Sequence, residues 1–66
     1  MTEQEAIAEV LAYLTVKIEE AEDLRRWTTF KRLMDERFMM IIHGIRAGMT
    51  PAEMVKICHT DMGIPA

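Results

Sequence analysis

From residue 3 to residue 43 the chain contains no glycine, proline, asparagine or serine. These are the residues that supply positive φ, break the backbone hydrogen-bond ladder or draw the chain into turns, so their absence over so long a stretch leaves helix as the main option. The start is marked by Thr2 followed by Glu5, the spacing of a capping box in which the threonine oxygen takes a free amide of the first turn and the glutamate reaches back. Ile7, Val10, Leu11, Leu14, Ile18, Ala21 and Leu24 then recur on one helical face, and a second stripe follows at Trp27, Phe30, Met34, Phe38, Ile41 and Ile45.

The two stripes do not share a phase. Continuing the heptad positions of Ile7, Leu14 and Ala21 leads to Thr28, Asp35 and Ile42, whereas the second stripe runs on Leu24, Phe38 and Ile45. A single helix carrying both would be about 60 Å long at about 1.5 Å per residue, well beyond the usual globular helix. A break or sharp bend between residues 21 and 29 resolves the conflict, with Asp23 or Thr28 available as a cap. The expected elements are therefore a helix over about residues 3–22, a second over about 24–46, with a continuous helix that absorbs the slip by local overwinding as the alternative, and a third over about 51–60 with a short tail after it.

The third helix is announced by "GMTPAEM", residues 48 to 54. Gly48 suits the left-handed residue that stops a helix, Met49 can plug the angle, Thr50 can cap the next helix, and Pro51 fits its first position. Glu53 completes a second capping box. Met54, Ile57 and Cys58 form the inward stripe of this short helix, and Gly44 provides a small residue four before the turn glycine, where two helices can cross closely. The fold class is thus all-α: two longer helices and a short C-terminal one after a tight bend, in one domain.

A chain of 66 residues buries only about 60% of its unfolded surface and usually needs a staple. The single cysteine, Cys58, cannot form an internal disulfide, and no paired Cys/His spacing of a structural zinc site is present. Oligomerisation is the remaining stabiliser. Around "FMMII", residues 38 to 42, apolar side chains point in every direction of a helix, so more than one face must be covered. Six internal methionines (34, 39, 40, 49, 54 and 62) suit a core or an interface that re-packs against partners. Trp27 and Phe30 read as anchors under the bend, or as hot spots of an interface. A homodimer, or pairing with a related helical protein, is expected through Trp27, Phe30, Met34, Phe38, Ile41, Ile42, Ile45, Met49, Met54 and Ile57.

Charge is segregated. Residues 1–23 carry a local balance of −6, residues 24–48 one of +4 and residues 49–66 one of −1. An acidic helix lying along a basic one, within the chain or in a second copy, is the simplest use of this layout; the rival use is contact with phosphates through Arg25, Arg26, Lys31, Arg32 and Lys56. The acidic start and the unpaired thiol suit a cytoplasmic setting. The longest apolar run, residues 38 to 45, is far short of the roughly 20 residues that span a membrane.

The helix, bend and helix of residues 44–60 also have the outline of a helix-turn-helix. Its outward positions Thr50, Pro51, Ala52, Val55, Lys56 and His59 offer one firm positive charge and no Arg, Asn or Gln for bidentate base contacts, and Glu53 repels phosphate. His43, Cys58, His59 and Asp61 are the only cluster with nucleophile or metal-ligand character; adjacent helical residues point about 100° apart, so Cys58 and His59 do not readily form a dyad. No catalytic residue, metal, cofactor or small-molecule substrate is assigned.

"GIRAGMTPAEMVKIC", residues 44 to 58, resembles the dimerisation hook of the Sin-type repressor and anti-repressor family of spore-forming bacteria. The likeness rests on Ala47, Gly48, Met49, Thr50, Glu53 and Met54, with Lys56 and Ile57 after them, and covers about residues 36–60. Ala52 and Val55 stand where charged residues are usual, and Arg37 where an aromatic residue tends to open the first helix. The resemblance implies a hook that interlocks with a second copy, and an anti-repressor that disables its repressor by forming the mixed pair. The functional expectation is a small protein-binding regulator of anti-repressor or inhibitor type; a helix-turn-helix transcription regulator and a structural subunit of a larger helical assembly are the alternatives.

Overall fold

The computed structural model describes residues 2–60, with the side chains of residues 59 and 60 left undescribed. Three helices account for them: α1, Glu3–Asp23; α2, Trp27–Arg46; and α3, Pro51–Thr60. The first two form an antiparallel hairpin, and α3 folds back across its open end, packing chiefly on α1. The tail expected after residue 60, and Met62 with it, lies outside the described residues.

Both capping boxes form, in a variant geometry. The Thr2 hydroxyl accepts from the Glu5 amide at 3.1 Å and donates to the Glu5 carboxylate at 3.1 Å. Thr50 does the same with Glu53, at 3.2 and 3.1 Å. Each glutamate is thus held by the threonine hydroxyl instead of the cap's backbone amide.

The break falls where the two stripes lose phase, and its chemistry differs from the expected one. The Arg26 amide donates to the Ala21 carbonyl at 2.8 Å and the Arg25 amide to the Glu22 carbonyl at 3.0 Å. That pair of bonds is a Schellman closure. Its left-handed residue is Arg25, at φ 56°, in a place that glycine usually takes. Neither Asp23 nor Thr28 caps α2: the N-cap is Arg26, which makes no side-chain capping bond, and the first turn holds no acid. The backbone closure leaves only residues 24–26 between the helices, so Asp23 is still in α1 and Thr28 is already in α2.

The second turn repeats the closure with glycine. Met49 donates to the Gly44 carbonyl at 2.9 Å and Gly48 to the Ile45 carbonyl at 3.1 Å, with Gly48 at φ 93°. From here α3 returns to the first half of α1. Ile7, Leu11, Met49 and Met54 form the buried cluster, with Ala8, Met40, Ile41, Ala47 and Ile57 against it. Gly44 is the one buried residue of α2. A Cβ there would stand 2.6 Å from Met54 Sδ, 3.4 Å from Met49 Sδ and 3.5 Å from Ile7 Cγ2, so the close crossing read from its spacing is where all three helices meet.

Farther along, Leu14, Thr15, Ile18 and Ala21 carry the buried face of α1 toward the α1–α2 turn. Thr15 breaks the apolar pattern, but its hydroxyl donates to the Leu11 carbonyl at 2.9 Å. A buried hydroxyl satisfied within its own helix avoids the desolvation penalty. Val10 and Leu24, read from spacing as part of the inward stripe, are exposed.

Candidate protein interface

Two faces of the hairpin differ sharply. α1 buries Ile7, Leu11, Leu14, Ile18 and Ala21 of its stripe, while α2 leaves most of its own in water: Trp27 is 58% exposed, Met34 37%, Phe38 62% and Ile45 52%. Phe30, Ile41 and Ile42 are half-buried. At about 100° per residue, Trp27, Phe30, Met34, Phe38, Ile41 and Ile45 fall within an arc of roughly 80° on one side of α2. The edge that meets α1 is carried instead by half-buried Leu33, Arg37 and Met40 and buried Gly44. The stripe is therefore continuous along α2, and its largest members are uncovered.

Trp27 and Phe30 are in edge-to-face contact, centroids 5.7 Å apart at 83°. Trp27 is largely exposed, while half-buried Phe30 lines a groove with Ile18, Glu22 and Asp23 beside the α1–α2 turn. Trp27 is the first residue of α2, and its indole lies against Phe30 and borders a shallow groove lined by Thr28, Lys31, Arg32 and Asp35 of the same helix.

The bend residues have a different fate. Met49 and Met54, expected at an interface, lie inside the chain's own core, with Ile57 packed against it. The segment that resembles a dimerisation hook grips α1 of the same chain, because α1 presents Ile7 and Leu11 where the hook turns back. This leaves Trp27, Met34, Phe38 and Ile45 as the exposed members of the expected contact set, with Phe30, Ile41 and Ile42 at its edges.

Two grooves flank the α1–α2 contact. One, of about 330 Å³, is lined by Thr15, Ile18, Phe30, Met34 and Arg37 with Glu19, Glu22 and Asp23 at its rim. The other, of about 440 Å³, has Val10, Leu14, Met39 and Met40 on its floor and Arg32, Asp35, Glu36 and His43 around it. Of its floor the sequence signalled Met39 and Met40, through the all-round apolar run at residues 38 to 42, whereas Val10 reads as core of α1.

Among the described residues no ion pair joins α1 to α2. The Lys17–Glu20 pair, at 3.7 Å, lies within α1. The expected mutual neutralisation within the chain is thus not built from ion pairs. Arg25, Arg26, Lys31 and Arg32 are all exposed, clustered around Trp27 at the start of α2. Lys17 also lies over the Tyr13 ring at 5.7 Å.

The other outward surface is that of α3. Pro51, Ala52, Glu53, Val55 and Lys56 are exposed there, a set with little for reading base edges. Among the described residues no group of three His, Cys, Asp or Glu side chains could hold a metal ion; of the cluster picked from sequence, the His59 side chain and Asp61 lie outside the described residues. No described helix is long and apolar enough to cross a membrane. Compared with known protein families, with characterised proteins and with solved structures, the chain matches none.

Proposed function

We propose that this chain is a small protein-binding regulator of the anti-repressor or inhibitor type, which lays the outer face of α2 on a helical surface of its partner and so masks it. One observation carries the reading: an aromatic and aliphatic stripe runs the length of α2, and among the described residues its largest members stand about half exposed or more. Four large side chains left about half exposed put on the order of 400 Å² of apolar surface in water, the size of patch that on a small protein marks a contact site. Aromatic residues at its centre and edge, Phe38 and Trp27, are the types that dominate interface energetics.

A second reading, contact with nucleic acid, draws on the exposed cluster of Arg25, Arg26, Lys31 and Arg32 around Trp27. The same cluster serves equally as the polar rim of a protein interface, which raises association rate and fixes register.

The test is capture from the native host with wild-type bait and with Phe38→Asp, followed by mass-spectrometric identification. Phe38 is exposed, so the variant should keep the fold while placing a charge at the centre of the stripe. The expected result is a protein held by the wild type, lost with the variant, and inhibited or released from its own target when the chain is added. Equal capture by both baits would overturn the reading.

A further inference from the structure

The stripe has a symmetry that its residue types alone do not reveal. Trp27 lies nine positions before residue 36 and Ile45 nine after; Met34 lies two before and Phe38 two after. A helix whose apolar positions mirror about their midpoint presents the same surface when turned end for end. That is the condition for an isologous contact, in which residue i meets residue j and residue j meets residue i.

We propose that the outer face of α2 is closed by α2 of a second copy, antiparallel, about a two-fold axis beside residue 36; this rests on the reading of that face as a protein-binding surface. Trp27 then meets Ile45 of the second copy and Met34 meets Phe38. On one flank Phe30 faces Ile41 of the second copy, and on the other the aliphatic stem of Lys31 lies along Ile42 while its ammonium stays in water.

Area supports the assignment. A stable pair buries about 800 Å² on each partner, roughly 60% of it apolar. The stripe, at on the order of 400 Å² of exposed apolar surface, supplies most of that apolar share. Continuity supports it too, because the four exposed members run from the first turn of α2 to its last. The hook, consumed in the core with Met49 and Met54 buried, leaves the pairing to α2 and not to an interlock of bends.

Cross-linking tests the register. Thr28 and Arg46 are exposed and flank the stripe on one side. In the antiparallel pair residue 28 of one copy lies beside residue 46 of the other, whereas the two copies of 28 are about 24 Å apart and the two copies of 46 about 30 Å, at about 1.5 Å per residue. In full-length chain carrying Cys58→Ser, Thr28→Cys and Arg46→Cys are prepared separately, mixed and treated with a short bismaleimide. The mixture should give covalent dimer and each variant alone little. Adding Phe38→Asp should cut the yield by about tenfold or more with circular dichroism unchanged, since a carboxylate at the centre of a closed apolar contact has no partner. Equal yield from either variant alone, or a monomer by sedimentation at high micromolar concentration, would overturn the proposal. The two readings separate cleanly: a monomer that still loses a host protein on Phe38→Asp keeps the regulator and removes the self-pair, and the expected cross-link with host capture indifferent to Phe38→Asp does the reverse.

Discussion

The side-chain amide of Gln4 donates to the carbonyl of Ala47 at 2.7 Å, joining the first turn of α1 to the last carbonyls of α2 across the bend. The same nitrogen stands 3.3 Å from where a Cβ on Gly48 would be. The bend is therefore held from outside by α1 as well as from within by Met49 and Met54. Because the bond is exposed, Gln4→Ala should cost no more than about 1 kcal/mol in urea unfolding. A larger loss would mean that Gln4 organises more than this carbonyl.

Gly48→Val is a harsher matter. At φ 93° a β-branched residue strains the backbone by about 1 to 3 kcal/mol. Helix cannot run on instead, because Pro51 disfavours helical geometry at Thr50 and clashes with the Ala47 carbonyl, at about 3 kcal/mol. Since α3 supplies Met54 to the core, losing the bend should lower the stability of the whole chain, with one cooperative transition in circular dichroism and Trp27 fluorescence. Loss of the α3 signal alone, with α1 and α2 melting as in wild type, would show that the hairpin stands without the hook.

At the other turn the sign reverses. Arg25 holds a left-handed conformation that costs an L-residue with a Cβ about 1 to 2 kcal/mol, partly offset by the extra unfolded-state entropy of glycine, about 0.4 to 1 kcal/mol. Arg25→Gly should raise stability by about 0.5 to 1 kcal/mol, and Arg25→Ala, which keeps a Cβ, should not. The urea midpoint with an unchanged slope is the readout.

Gly44 and Met54 should behave as one unit. Gly44→Ala forces Met54 Sδ out of contact at 2.6 Å in a side chain only 1% exposed, so the gain in helix propensity is outweighed. In the background of Met54→Val, whose shorter side chain vacates that space, Gly44→Ala should be tolerated or favourable. A coupling of about 0.5 to 3 kcal/mol is expected from the double-mutant cycle; strict additivity would mean that Met54 relaxes freely.

These cases show which features were legible beforehand. Thr2 with Glu5 and Thr50 with Glu53 announced both helix starts, and Gly48 with Pro51 announced the bend, because each depends on a local residue type at a fixed offset. The α1–α2 break was legible as a phase slip between stripes. Its capping was not: the left-handed residue is an arginine, and residue type says nothing of a strain imposed by closure. The destination of the hook was open for a different reason. Met49, Met54 and Ile57 have the same inward spacing whether they meet α1 of their own chain or a second copy, and only the tertiary arrangement chooses. Thr15 escaped notice because a hydroxyl satisfied by its own helix leaves no mark on an apolar pattern.

Against duplex DNA we expect no sequence-specific retention at physiological salt. Any binding through Arg25, Arg26, Lys31 and Arg32 should weaken steeply as salt rises, with the log-log slope falling by about one for each basic contact removed. Nanomolar retention of a defined operator in a mobility-shift assay would restore the helix-turn-helix reading.

Whether the α2 stripe is covered in solution is read most directly from Trp27, the one tryptophan of the chain and an end residue of the stripe. Its emission and its quenching by acrylamide, followed on dilution from high micromolar to nanomolar concentration, report the closure of that face alone. The expected result is a blue-shifted, protected indole at high concentration that becomes red-shifted and quenchable on dilution, and that is red-shifted at every concentration in Phe38→Asp. A Trp27 that is equally exposed throughout, in wild type and variant alike, would contradict the pairing of α2 with a second copy.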